Sequence, residues 1–154
     1  MANLILKTDN SPVQMFIRVV LGAVIFPHGA QKLLGWFGGA GLEKTLHSFS
    51  QMGFPVWATV LLMLIESMGA LLLIAGFLTR FWALAIGTAM AVCMLKFHVQ
   101  YGFFMNWFNQ QGGEGYEYHI LVLGIAVALL IKGGGMLSVD RALATRVSRR
   151  RLIR

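Results

Sequence analysis

Charged residues are scarce in this chain. Asp, Glu, Lys and Arg make up 12% of its 154 residues, whereas a soluble domain carries about 25%. Hydrophobic residues make up 57%. This balance argues against an ordinary soluble domain and indicates a protein embedded in lipid. At this length we expect one domain, covering residues 1–154.

Cysteine is scarcer still, because Cys93 is the only one. A single cysteine excludes an internal disulfide and CxxC redox chemistry. Since Cys93 lies within an apolar run, we expect it to be a small packing residue. The first dozen residues are partly polar and contain no small-residue cleavage site after an apolar core. We therefore expect no removable signal peptide.

Long hydrophobic runs are what the chain does have. Four of them predict helices at about 13–36, 55–78, 81–101 and 116–137, and a helix needs about 20 apolar residues to cross a bilayer. The uncharged part of the fourth, Ile120–Ile131, is short, so a buried amphipathic helix remains an alternative there. A short surface helix is also expected at Leu42–Met52. The predicted fold is an all-α membrane protein, a four-transmembrane-helix bundle.

The net charge of +7 could suggest nucleic acid, but its distribution argues against that partner. Six arginines lie in the tail at 138–154, directly after the last hydrophobic run: Arg141, Arg146, Arg149, Arg150, Arg151 and Arg154. Such a basic tail binds anionic membrane lipids. With both termini on one side, that side holds ten Lys and Arg residues and the other three, Lys32, Lys44 and Lys96. The positive-inside rule then places both termini in the cytoplasm.

One ionisable residue stands near the middle of the second run. A charge at the centre of a membrane helix costs about 2.5–3.5 kcal/mol on insertion scales, so Glu66 indicates a functional site. It shares a helical stripe with Gly69 and Gly76. A similar stripe of glycines and charged residues runs from Arg18 to Lys32 on the first helix. Small residues allow close helix packing, so we expect these two stripes to face each other.

Further ionisable residues lie toward the same end of the bundle: His28, Lys32, Lys96, His98, Glu117 and His119. The last four form two pairs, 96 with 98 and 117 with 119, whose members differ by about 200° around a helix. One member of each pair is therefore expected to face the interior. Arg18, Arg80 and Lys132 lie toward the other end, where long side chains can reach the interface.

The preferred hypothesis is an acid–base cluster of Glu66 with His28, and His119 or His98, beside aromatic walls. Such a cluster could hydrogen-bond the oxygens of a quinone and exchange its protons. Trp57 and Tyr101 are the aromatic candidates for this wall, although a belt of interfacial aromatics explains them too. In the alternative, Glu66 pairs with Lys96, Lys32 or Arg18 and only holds helices together.

Other cofactors fit the sequence less well. A haem b needs two histidines on facing helices at matched depth, which His28 with His98 or His119 could supply; we favour the quinone. No metal site is expected, because the chain has one cysteine and no local HxxxH pattern. A nucleotide site is excluded, since the glycines at 38–41 lack the strand and the Lys-Ser/Thr of a phosphate loop.

Three segments carry a family resemblance. They are Arg18-x3-Gly22-x5-His28-Gly29-x2-Lys32, Glu66-x2-Gly69-x6-Gly76-x2-Thr79-Arg80, and Gly115-Tyr116-Glu117-Tyr118 with the later Gly133-Gly134-Gly135-Met136-Leu137-Ser138-Val139-Asp140. In this order they resemble the DoxX family of small four-helix membrane proteins. Val139 departs from the usual Leu of the closing element.

The resemblance implies a multipass plasma-membrane protein related to the quinone-interacting subunit of a thiosulfate:quinone oxidoreductase. It also implies a redox protein partner, since some members accompany thiol-redox, superoxide or catechol systems. A homo-oligomer is a further possibility. The competing hypotheses are a membrane anchor for a redox partner and, less favoured, a small proton-coupled transporter. Asp140 is expected to cap or pair where the chain leaves the last helix, with Arg141 or Arg80 as candidates.

Overall fold

The computed structural model describes the backbone of residues 6–152 and the side chains of residues 6–146. Every regular element in that part of the chain is helical, with no strand, as predicted. The helices are α1 (Pro12–Leu34), α2 (Gly41–Gln51), α3 (Val56–Ala75), α4 (Thr79–Tyr101), α5 (Glu117–Lys132) and α6 (Val139–Leu152). The predicted surface helix is confirmed as α2, which packs against α1 and α3.

Three of these helices are long and apolar enough to cross a membrane: α1, α3 and α4, with 20 to 23 residues each. Helix α5 has 16 residues. At about 1.5 Å per residue it is about 24 Å long, whereas the hydrocarbon core is about 30 Å thick. Its role as a fourth span therefore stays a prediction, as does the side of the membrane on which the termini lie.

The helices pack in two pairs, α1 with α3 and α4 with α5. Glycine brings the first pair together, because a Cβ at Gly22 would lie only 2.7 Å from the carbonyl oxygen of Ala70. The predicted pairing of the two glycine stripes is thus confirmed. A core of buried apolar side chains joins both pairs: Leu21, Ile25, Ala70, Leu73, Ala83, Ile86, Met90, Val122 and Leu129.

Asp140 stabilises the end of the bundle at the turn between α3 and α4. Its Oδ1 accepts the amide hydrogen of Leu78 at 2.7 Å, and its Oδ2 that of Thr79 at 2.8 Å. The predicted capping role is confirmed, although the capped helix is α4. Neither Arg80 nor Arg141 pairs with it. Arg80 donates to the carbonyl oxygens of Lys7 and Ile131, and Arg141 donates to Oδ1 of Asn10.

Arg18 does not reach the interface as predicted, since only 2% of it is exposed. Its Nη2 donates to the carbonyl oxygen of Leu137 at 3.4 Å. A Cβ at Gly76 would collide with its guanidinium, so the glycine leaves the space that Arg18 fills. Arg18 is buried rather than at the interface because the chain after α5 folds back over the beginning of α1 and covers its side chain.

The basic tail predicted at 138–154 is helical from Val139 to Leu152. Side chains are described only as far as Arg146. Of the predicted lipid-binding arginines, Arg149, Arg150 and Arg151 lie outside the described side chains, and Arg154 lies outside the described residues. Lipid binding by the tail stays a prediction.

Replacing Asp140 by Asn is expected to lower the free energy of unfolding by about 1–3 kcal/mol, because a buried carboxylate that accepts two amide hydrogens is lost. Thermal unfolding in detergent measures this. Asp9→Asn is the control, since its 3.9 Å contact with Lys132 is exposed on both sides and exposed pairs contribute little. Equal Tm shifts for the two variants would contradict the assigned role.

Candidate functional site

Glu66 lies on a π-helical turn, Ile65–Gly69, in the middle of α3. Such turns widen a helix by one residue and are frequent at functional sites. Gly29 of α1 packs directly on the turn: a Cβ there would lie 2.4 Å from the amide nitrogen of Ser67. Because of this close approach Glu66 is only 3% exposed.

Glu66 forms an ion pair with Lys32 of α1. The Nζ of Lys32 is 2.7 Å from Oε2 of Glu66 and also donates to the carbonyl oxygen of His28 at 3.3 Å. Of the three partners predicted for Glu66, the structure brings Lys32 to it. Breaking a buried pair on one side is costly, because the remaining charge loses its partner.

A cavity of about 460 Å³ lies beside this ion pair, between α3 and α4. Its wall is almost entirely apolar. The residues that bring polar atoms to it are Lys32, Thr59, Glu66, Thr88 and Cys93. A concave apolar space with a few polar groups at one place is the usual form of a small-molecule site.

Three phenylalanines form a cluster in the wall of the cavity: Phe49 of α2, Phe54 of the following turn and Phe97 of α4. The ring centroids are 5.8 Å apart for Phe49 and Phe54, 6.3 Å for Phe49 and Phe97, and 5.5 Å for Phe54 and Phe97. These are ordinary distances for packed aromatic rings. The cluster is an apolar aromatic surface against which a ligand ring can pack.

The cavity extends along α4 as a groove that opens on the outside of the bundle. Its lining runs from Phe81 to Phe97, which is about 24 Å along a helix. Phe81 and Leu84 are more than half exposed. A long apolar ligand could therefore enter sideways, with its chain in the groove and its polar end at Lys32 and Glu66.

Seven of the predicted site residues lie outside this cavity: His28, Trp57, Lys96, His98, Tyr101, Glu117 and His119. His28 is exposed, with its ring 6.4 Å from that of Tyr118, and Trp57 is 70% exposed. Tyr101 packs over Gly113 of the long loop after α4. Of the predicted cluster, Glu66 lines the cavity and His28 does not, and the pair of Glu66 with Lys32 is a contact that the alternative interpretation predicted.

A second polar cluster lies between α4 and α5. One member of Lys96 and His98, and one member of Glu117 and His119, was predicted to face the interior. The structure brings His98 and His119 together, with ring centroids 4.2 Å apart. Cys93 joins them: its Sγ and one nitrogen of each histidine lie within 4.8 Å of one another. On an α-helix Cys93 and His98 would differ by about 140°. The π-helical turn Met94–His98 reduces that difference, and the spacing of the residues in the sequence does not predict such a turn.

The wall that α4 contributes to the cavity was not predicted from the sequence. A signal for it was present, because Ala85, Thr88, Ala89 and Val92 recur at the spacing of one helix face. Their small side chains leave room beside the helix. Phe49 and Phe97 carried no such signal, since they come from separate elements that only folding brings together.

The DoxX family model matches residues 13–99, more than half of the chain. A protein of Bacillus subtilis (strain 168) named "Putative oxidoreductase CatD" is 24% identical over 126 residues, which are 82% of this chain and 83% of that protein. No solved structure gives a significant match. The family match includes every residue that lines the cavity, from Lys32 to Phe97. The resemblance predicted from the sequence is confirmed, and the chain belongs to the DoxX family.

Proposed function

We propose that this membrane protein binds a quinone, or a similar lipophilic redox molecule, as a subunit of a plasma-membrane oxidoreductase system. The observation that carries the proposal is the cavity between α3 and α4, which is apolar, opens sideways and has the Lys32–Glu66 pair in its wall. The name of the Bacillus subtilis relative, "Putative oxidoreductase CatD", agrees with a redox ligand.

The polar groups suit the head of a quinone. The ammonium of Lys32 can donate to a quinone carbonyl oxygen, and the carboxylate of Glu66 can accept from a hydroquinone hydroxyl. Reduction adds a proton to each quinone oxygen, and the electrons come from a partner protein of the system. The three phenylalanines pack against the ring, and the groove toward Phe81 holds an apolar tail.

Proton handling is assigned here to Glu66 and Lys32. His28, the other residue predicted for this role, does not line the cavity, so it cannot touch the ligand there. In the proposed topology both termini are cytoplasmic and α5 completes the bundle as a fourth span. Lys32 and Glu66 then exchange protons on the side of the membrane opposite the termini.

Filling the cavity tests the proposal. Ala89→Phe places a ring in the space between α3 and α4 and is expected to weaken binding of decylubiquinone at least about tenfold. Equilibrium dialysis of the protein in detergent measures the affinity. Ala23→Phe is the matched control, because Ala23 is exposed on α1 and does not line the cavity. Equal affinity for both variants would exclude this cavity as the binding site.

The second candidate is a membrane anchor for a redox partner, without a ligand of its own. The observation that favours it is the Lys32–Glu66 pair, which also joins α1 to α3. Organic extraction of the protein purified from its own membrane distinguishes the two functions. A quinone recovered from the parent and missing from Ala89→Phe supports the binding subunit. The same amount of quinone from both proteins, or none from either, supports the anchor.

A further inference from the structure

We infer that Cys93, His98 and His119 form a binding site for a transition-metal ion of the Zn²⁺ class. The three residues come from two helices, α4 and α5, and their ligand atoms all lie within 4.8 Å of one another. This inference does not depend on quinone binding, because it rests on a different cluster of side chains.

The backbone of α4 is shaped for this arrangement. In a π-helical turn the hydrogen bond joins residues five apart, so side chains at that spacing come onto one face. The turn Met94–His98 follows Cys93 directly, and it brings the thiol and the imidazole of His98 to the side that faces α5. His119, in the first turn of α5, then meets them from the opposite side.

The hydrogen bond that His98 makes leaves its other ring nitrogen free to bind a metal ion. Nδ1 of His98 lies 2.9 Å from the carbonyl oxygen of Glu114. A carbonyl can only accept, so Nδ1 carries the hydrogen and Nε2 of the neutral ring keeps a free lone pair. A backbone carbonyl that orients a histidine in this way is the usual support of a metal ligand.

His119 supplies an independent observation. It is only 5% exposed, and its Nδ1 is buried with no hydrogen-bond partner among the described residues. A buried polar atom without a partner costs about 1–3 kcal/mol, so such atoms are rare and call for an explanation. A metal ion that the thiol and the two imidazoles hold, with His119 binding through Nδ1, would supply the missing partner.

The ligand set selects the class of ion. One thiolate and two imidazoles suit Zn²⁺, whereas Ca²⁺ and Mg²⁺ prefer oxygen. Three protein ligands leave a fourth position open, as in zinc sites that also bind a water or another molecule. Cys93 also lines the cavity between α3 and α4, so the metal site borders that cavity.

Metal titration of the full-length protein in detergent tests the inference. After treatment with a chelator, the parent is expected to bind one Zn²⁺ per chain, and Co²⁺ in its place should show a thiolate-to-cobalt charge-transfer band. Cys93→Ser is expected to lose that band, and both Cys93→Ser and His98→Gln should bind Zn²⁺ at least about tenfold more weakly. These two side chains are only half-buried, so the variants should fold.

His47→Gln is the control, because His47 is exposed on α2 and contacts Gln51 there. It is expected to leave the affinity for Zn²⁺ unchanged. Circular dichroism of the metal-free variants shows that each is folded before the titration. A parent that binds no Zn²⁺, or a folded Cys93→Ser variant with the parent's affinity and cobalt band, would overturn the inference.

Discussion

Replacing Glu66 by Gln is expected to weaken the binding of decylubiquinol, the reduced form whose hydroxyl donates to the carboxylate in the proposed complex, at least about tenfold. Gln has nearly the shape of Glu, so the packing of the π-helical turn against α1 is kept. The carboxylate is lost, and Lys32 keeps a charge without its 2.7 Å partner. The ligand loses a hydrogen bond to a charged group, which contributes about 1.5–3 kcal/mol, and each 1.4 kcal/mol is about tenfold.

Two further variants separate ligand binding from a purely structural role. The double variant Lys32→Met with Glu66→Leu replaces the pair by apolar side chains, which often leaves stability unchanged or raised. It should therefore remain folded and yet bind no decylubiquinone. Glu43→Gln, on the exposed side of α2, is the matched control and should bind as the parent does. A double variant with the parent's affinity would show that the pair only holds the helices together.

Replacing Gly29 by Ala is expected to lower the free energy of unfolding by about 3 kcal/mol, which is at the upper end for overpacking. The added Cβ would lie 2.4 Å from the amide nitrogen of Ser67 and 2.5 Å from the carbonyl carbon of Glu66. These are backbone atoms, so they cannot rotate out of the way as a side chain can. Helices α1 and α3 must separate, which also lengthens the Lys32–Glu66 contact and weakens ligand binding.

Gly124→Ala provides the matched comparison. A Cβ at Gly124 would meet nothing within 4 Å, and the residue lies inside α5, where alanine is favoured over glycine by about 0.5–1 kcal/mol. The variant is expected to be as stable as the parent or slightly more so. Unfolding in mixed detergent micelles measures both changes. If Gly29→Ala were as stable as Gly124→Ala, the close approach of α1 to the π-helical turn would be wrong.

The sequence predicted most of the fold because its signals are local and strong. Apolar runs of about the length of a bilayer gave α1, α3 and α4, and glycines near Arg18 and Glu66 gave the pairing of α1 with α3. The burial of Arg18 could not be foreseen, since it depends on the chain near Leu137 folding back over it. Local patterns do not encode such contacts between distant parts of the chain.

The site was predicted in part. An acidic residue in an apolar helix pointed to Glu66, and Lys32 was one of its three candidate partners. The grouping of Cys93 with His98 depends on a π-helical turn, which changes the helical period and so escapes an argument based on spacing. The cavity depends on small residues of α4 facing α3, and only the packed structure shows that this space stays open.

Photo-labelling with an azido-quinone is the most direct test of the central claim, that the cavity beside Lys32 and Glu66 binds a lipophilic redox molecule. The label is mapped by mass spectrometry of peptides from the full-length protein in detergent. The adducts are expected within residues 49–66 and 81–97, which contain nearly all of the lining, and excess decylubiquinone should suppress them. Adducts confined to other segments, or adducts that excess decylubiquinone leaves unchanged, would contradict it.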